Sequence, residues 1–393
     1  MIDETTALRP VRPRYGATSL ADLLPSACAV LGVPGAPDPL RLRERLDGVR
    51  RIAVLLIDGL GAYQLPLAAP YAPTLTDLAT GRLGHATTLT SGFPSTTPTS
   101  LVTLGTGVPP GSHGVLGFVL NVPGGDRLLN HIRWGNDPDP ALWQPVPTRL
   151  EAAAAAGVEV TVVTKPEFAG SGLTVAANRG GEFRGAGGVD AVATEMLAAL
   201  RAGSGPTLVS GYHPDLDKAG HDHGVDSTEW REAAAGVDAL VERLVGGLPP
   251  DGALLVTADH GMLNVPAEGR FDLDADPRLS AGLRLVAGEA RVRYLHVLPG
   301  ARDDVLAAWR SVLGPAAWVT TRAEAVAEGW FGAVAPAHQS RLGDVVVVCR
   351  ERHVVLATTR EPVRATPMIA FHGSFTAVEM TIPLLVAVGR QTG

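Results

Sequence analysis

A chain of 393 residues with 46% apolar content can bury a sizeable core in one large domain or two smaller ones, which excludes a disordered or fibrous protein. The formal charge of -7 is modest and the Lys and Arg residues are scattered, so there is no electrostatic footprint for a nucleic acid polymer. The opening MIDETTALRPVRPRYG has no apolar run behind a basic start, and no run of about 18 apolar residues follows, so a cytoplasmic protein without a membrane partner is expected.

RIAVLLID (51–58) is the first nearly continuous apolar run and reads as a buried strand ending in Asp58. Gly59-Leu60-Gly61 follows, but Gln64 stands where a dinucleotide fingerprint would need its third glycine, and the acid precedes the glycines. Taken alone, Asp58 is an ordinary turn or capping residue.

GFPSTTPTSLVTLGTGVPPG (92–111) holds the next informative signal. Pro98 lacks a backbone donor and suits the first helical position, which predicts Thr97 as the N-cap of a short helix through Ser100, Leu101 and Leu104. A hydroxyl there lies beside unpaired N–H groups, where an anion is stabilised. A threonine is nevertheless a poor nucleophile at neutral pH unless a metal lowers its pKa, and no Gly-x-Ser-x-Gly elbow is present.

VEVTVVTK (158–165), PTLVSGYH (206–213) and GALLVTAD (252–259) repeat the buried-strand pattern. RLEAAAAAG, VDAVATEMLAALRAG and WREAAAGVDALVERLVGGL alternate with them as helices ending near glycine. The fold class predicted is α/β: a mostly parallel central sheet sandwiched by helices, with ligands gathering beyond the carboxyl ends of the strands.

YHPDLDKAGHDHG (212–224) crowds three aspartates and three histidines behind one of these strands. Asp217 and His221 are four apart and share one side of a helical turn, whereas Asp215, His213, Asp222 and His223 read as supporting or solvent-facing. Asp259-His260-Gly261 ends another strand, with a glycine that permits a sharp bend. Asp and His together suit zinc, with manganese as the alternative, better than magnesium.

Between residues 270 and 364 the pattern becomes a compact β/α insertion with its own small sheet, read as a cap on a core made of 1–269 and 365–393. Trp309, Trp318, Trp330 and Phe331 are expected in the core of that cap rather than as a stacking platform. MIAFHGSFTAVEMTIPLLVAV then returns to the main sheet and brings His372 to the site. His85, His131, His296, His338 and His353 are assigned ordinary core or surface roles, and His113 a local loop role. Cys28 and Cys349 fit a reducing compartment, exclude a thiolate site, and do not begin the Cys-x-Pro/Ser-x-Arg signature of cysteine-type sulfatases.

LLIDG, FPSTTPTSLVTLGTG, DKAGHDHG, TADHGM and HGSF, in this order, resemble the alkaline phosphatase superfamily and, within it, the type I phosphodiesterase/nucleotide pyrophosphatase family. The resemblance implies an alkaline-phosphatase-like fold, a small phosphate-ester substrate such as a nucleotide derivative, and two divalent metal ions. It implies that Asp217, His221 and His372 hold one ion, and that Asp58, Asp259, His260 and the Thr97 hydroxyl hold the other. It further implies that Thr97 attacks phosphorus and forms a covalent phospho- or nucleotidyl-threonine, which water then releases. The family pattern, here PSTT, and the proline after it favour Thr97 over Thr96.

The chain departs from the pattern near Phe118, where the family's diesterases carry an asparagine on a phosphate oxygen; Asn121 is three residues further on. This leaves a phosphomonoesterase or phosphonate hydrolase of the same superfamily as the alternative, followed by a transferase and a non-catalytic metal-binding protein. Lys165, Lys218 and Arg133 are the basic candidates for substrate contact.

Overall fold

The computed structural model describes residues 3–361 and 367–390. The strands that matter here are β1 (Arg51–Ile57), β2 (His85–Thr90), β3 (Glu159–Thr164), β4 (Glu182–Gly185), β5 (Thr207–His213) and β6 (Gly252–Thr257), then β7 (Leu283–Glu289), β8 (Val292–Val297), β9 (Ala317–Thr321), β10 (Val345–Cys349) and β11 (Thr381–Val388). The helices are α1 (Thr97–Thr106), α2 (Val189–Ala202), α3 (Asp215–His223), α4 (Thr228–Gly247) and α5 (Arg302–Leu313).

The central sheet runs β2-β11-β6-β1-β5-β3-β4. β11 runs antiparallel to both of its neighbours, β2 and β6, and the remaining pairings are parallel. The middle strand, β1, is buried at every position after Arg51, as expected of a strand with layers on both faces. Those layers come from helices such as α4, which turns Trp230, Ala234, Val237, Val241 and Leu244 inward at helical spacing. The register sets Ile57 beside His213 and Leu56 beside Thr257, so the carboxyl ends of β5, β1 and β6 lie side by side. Three polar segments that are far apart in sequence therefore emerge at one place.

Within 270–364, β7-β8-β10-β9 form an antiparallel sheet. One face, with Leu295, Val345 and Val347, packs on Trp309, Val305 and Leu313 of α5. The other, with Val292, Tyr294, Val346 and Val348, packs with Phe93, Trp330, Phe331 and Phe375. Trp309, Trp330 and Phe331 are thus core residues, and Trp318 packs at the edge of the same cluster. The alternation is that of strands buried on both faces, and the second face ties the inserted sheet to the loops before α1 and before β11. No helix among the described residues is long and apolar enough to cross a membrane.

Candidate active site

Asp58, immediately after β1, is 3% exposed, and Asp259 and His260, just after β6, are fully buried. Gly59 has φ +75°, and a Cβ there would lie 3.1 Å from the Cα and Cβ of Asp217. The turn after β1 and the first turn of α3 can approach this closely only because Gly59 has no side chain. The same holds where a Cβ on Gly61 would lie 2.6 Å from the Cα of Gly261.

The buried carboxylates and histidines face one another. His260 Nε2 is 3.4 Å from Asp58 Oδ1 and 3.3 Å from Asp259 Oδ2. His221 Nε2 is 3.3 Å from Asp217 Oδ2 and 3.1 Å from His372 Nε2, and His372 Nε2 is 3.7 Å from Asp217 Oδ1. The rings of His260 and His372 stack at 3.5 Å. Donor atoms of Asp217, His260 and His372 come within 4.8 Å of one another, as do those of Asp58, Asp259 and His260, so His260 stands where the two groups meet.

Each of these histidines has its Nδ1 at a backbone carbonyl: Gly261 for His260, Ala370 for His221 and Ser95 for His372. With the Nδ1 protons engaged there, the Nε2 lone pairs point inward, the arrangement that holds a metal-ligating imidazole. Asp58 Oδ1, Asp217 Oδ1 and Asp259 Oδ2 are buried without a hydrogen-bond partner. Ligands on a tetrahedral cation at about 2.0–2.1 Å are separated by about 3.3 Å, the spacing of these Nε2 and carboxylate atoms. The donor set fits divalent cations of the zinc type.

Burial, reinforced by the charges of Asp259 and Asp217, holds the Asp58 carboxyl well above its usual range. Burial also raises Asp217 and pushes Asp259 up to about 6, while it pushes His260 down to about 4. An unfolded Asp259 ionises near its ordinary 3.8 but the folded one near 6, so its charge opposes the metal-free fold increasingly across that window and fully above it. His260 is already neutral and able to ligate above about 4. The gain in melting temperature from saturating zinc or manganese is therefore expected to be largest at pH 8 and to shrink as pH falls through 6. A gain that stays flat from pH 8 to pH 5 in differential scanning fluorimetry would contradict this electrostatic picture.

Thr97 Oγ1 lies 3.4 Å from Asp58 Oδ2 and 3.3 Å from His260 Nε2. The helix begins one residue earlier in function than predicted: Thr96, in extended conformation, is the N-cap, and Thr97 is the first helical residue with Pro98 after it. The proline tolerates the second position as well as the first, since the N–H there is also unpaired in the helix. Ser100 Oγ donates to the Asp259 carbonyl at 3.0 Å, which fixes α1 against the β6 turn.

The stretch 215–223 is a helix, so Asp217 and His221 lie one turn apart. Asp222 and His223 face solvent, but His213 does not: as the last residue of β5 it is 2% exposed. Asp215 accepts from Lys165 Nζ at 2.7 Å, whereas Lys218 and Arg133 are exposed. The Asn121 amide is directed to the Ser340 carbonyl at 3.5 Å. His113, placed in a loop by its sequence, closes a short helix and meets Thr103 Oγ1 at 3.0 Å. Tyr212, not singled out in the sequence, donates its hydroxyl to Asp58 Oδ2. A tyrosine at the end of an apolar run has no feature that separates it from core.

A mostly parallel α/β sheet thus carries this donor set beyond its carboxyl edge. Residues 52–375 match the family model for type I phosphodiesterase/nucleotide pyrophosphatase, and the chain belongs to that family of phosphoric ester hydrolases. Murine ectonucleotide pyrophosphatase/phosphodiesterase 5 superposes with a TM-score of 0.68 at 18% identity, over 86% of this chain and 88% of that one. An inactive form of that protein in complex with AMP gives 0.69. Phosphonoacetate hydrolase from Sinorhizobium meliloti 1021, in complex with phosphonoacetate, gives 0.63 at 20% identity, over 88% and 92% of the two chains. These likenesses establish the shared fold. Phosphopentomutase from Shewanella frigidimarina (strain NCIMB 400) is 29% identical over 166 residues, which span 42% of this chain and only 39% of that enzyme.

Proposed function

We propose that this chain hydrolyses small phosphate diesters or pyrophosphates, nucleotide derivatives among them, through a covalent intermediate on Thr97. The observation that carries this reading is the convergence of Thr97 Oγ1 on Asp58 and His260 beside a second group formed by Asp217, His221 and His372. Asp217, His221 and His372 would hold one cation, and Asp58, Asp259, His260 and Thr97 Oγ1 the other. Bound divalent ions, zinc foremost and manganese as the alternative, would supply charge neutralisation at the attacking and leaving oxygens and a lower pKa for the threonine hydroxyl.

The chain's own residues then do the following. Thr97 Oγ1 forms a bond to phosphorus as the bond to the leaving oxygen breaks; the hydroxyl proton passes by way of solvent to the leaving oxygen, and the threonine carries the phosphoryl or nucleotidyl group. Water breaks the Oγ1–phosphorus bond, transfers the group to its own oxygen and returns the proton to Thr97. The start of α1 keeps unpaired backbone N–H groups on the side of the negative phosphoryl oxygens. Asp58 is held in place by the Tyr212 hydroxyl, and His372 by the Ser95 carbonyl.

In this reading the segment 270–364 caps the site and shapes leaving-group choice. A cytoplasmic setting belongs to the same proposal, since Cys28 and Cys349 are buried free thiols. A second reading, a phosphomonoesterase or phosphonate hydrolase, is favoured by one observation. Phe118, near the position where the family's diesterases carry an asparagine, is partly buried, and the Asn121 amide is directed to the Ser340 carbonyl. Rates on p-nitrophenyl phosphate, bis-p-nitrophenyl phosphate, a nucleotide p-nitrophenyl ester and phosphonoacetate, with zinc and manganese supplied separately, separate the two. Faster turnover of the diesters is expected; preference for the monoester or phosphonoacetate would transfer the assignment to the second reading, and no turnover of any would refute both.

A further inference from the structure

We infer that the buried ion pair of Arg291 with Glu379 is a positioning device for the site, through which the inserted segment sets the histidines that face the cations; the inference rests on the metal reading above. Arg291 occupies the turn between β7 and β8, and Glu379 the short helix Ala377–Met380 that precedes β11. Both side chains are fully buried, and the contact is bidentate: Nε donates to Oε1 at 2.9 Å and Nη2 to Oε2 at 2.6 Å. Arg291 Nη1 is directed to the carbonyls of Glu351 and His353.

What Glu379 does with its remaining acceptors links the pair to the chemistry. Its Oε1 also accepts from Ser374 N at 3.0 Å, its Oε2 from the Thr376 hydroxyl, and its backbone carbonyl from Gly261 N at 2.9 Å. Gly261 is the residue after His260, and its carbonyl meets His260 Nδ1. On the other branch, Ser95 N donates to the Gly373 carbonyl at 3.0 Å and Ser95 Oγ to the Ser374 carbonyl at 2.8 Å. The Ser95 carbonyl in turn meets His372 Nδ1 at 2.9 Å. One residue, Glu379, thus sits behind all three: its backbone carbonyl holds the loop that carries His260, and its carboxylate holds the Ser374 segment that carries His372 and meets Ser95, two residues before Thr97.

Stability alone does not account for such a pair. Desolvating two charges cancels much of their attraction, and apolar side chains of similar volume commonly serve the fold as well. Such side chains cannot accept the Ser374 N–H or fix its direction. Groups that orient metal ligands from behind typically affect metal affinity by about 10- to 100-fold.

The test uses the full chain with zinc as the probe, its affinity measured by competition with a chromophoric chelator alongside melting temperature, kcat and KM for a diester. Arg291→Lys keeps the internal charge but loses the fork, and Arg291→Met with Glu379→Met removes both charges without leaving either unpaired. Trp309→Phe, which perturbs the inserted sheet on its far face, is the control for lost stability. Both pair variants are expected to remain folded, to bind zinc at least about 10-fold more weakly and to lose kcat with little change in KM, while Trp309→Phe keeps its zinc affinity. Zinc affinity within about twofold of the parent in both pair variants, or an equal loss in Trp309→Phe, would overturn the inference. If the parent chain itself bound no cation, the site reading would fall and this inference with it.

Discussion

Thr97→Ala is expected to lower kcat for the best substrate by at least about 10³-fold, about 4 kcal/mol of transition-state stabilisation, while the fold and most cation binding persist. The hydroxyl is only one donor of its group, and the carboxylates of Asp58 and Asp259 with the ring of His260 remain beside it. The side chain makes no contact that the start of α1 needs, because the capping position belongs to Thr96. Purified variant with full zinc occupancy and negligible turnover is the expected result. Turnover near that of the parent would remove Thr97 from the mechanism.

Asp259→Asn is expected to move activity and stability in opposite directions. Oδ1 accepts from the N–H groups of Gly59 and His260 at 3.1 and 3.0 Å, bonds that an asparagine oxygen retains. The unpartnered Oδ2, at 3.3 Å from His260 Nε2, becomes an amide that cannot ligate. Zinc affinity should drop by about 100-fold, the upper end of what orienting groups alone produce, and turnover with it. The metal-free variant, however, no longer carries a buried carboxylate whose pKa stands at about 6 instead of 3.8. Above pH 7 it should be more stable than metal-free parent by about 2–3 kcal/mol, seen as a higher denaturation midpoint after chelation. A metal-free variant less stable than the metal-free parent would show that the site stores no electrostatic strain.

The strands behind the site were legible because β1 and β6 are apolar almost throughout and β3 is rich in β-branched residues, and β5 opens on Thr-Leu-Val in the same way. Their order was not legible. Only the sheet register shows that β6, β1 and β5 are neighbours and that Asp58, Asp259 and Asp217 therefore meet. Spacing within one helical turn identified Asp217 with His221, but the partner of both, His372, follows a separation of 151 residues from His221 that no local pattern encodes.

The residues misread or missed share a cause. His213 stands among polar residues and so read as either supporting or solvent-facing; its place at the end of a buried strand removes the second option. Tyr212, Arg291 and Glu379 meet their partners through hydrogen bonds between residues far apart in the chain, and their sequence surroundings are those of ordinary strand, turn and short helix. Thr96 and Thr97 differ by one position at a helix start where Pro98 suits either placement, which is why the N-cap can fall on Thr96 rather than on Thr97.

The most direct measurement is mass spectrometry of the peptide containing Thr97 after acid quenching of the metal-loaded enzyme during turnover of a diester. A phosphoryl or nucleotidyl group attached to Thr97, formed and lost at rates that match kcat and absent from Thr97→Ala, is the predicted result. Steady turnover with no modified threonine, or with the group on Thr96, would contradict the assignment of Thr97 as the nucleophile.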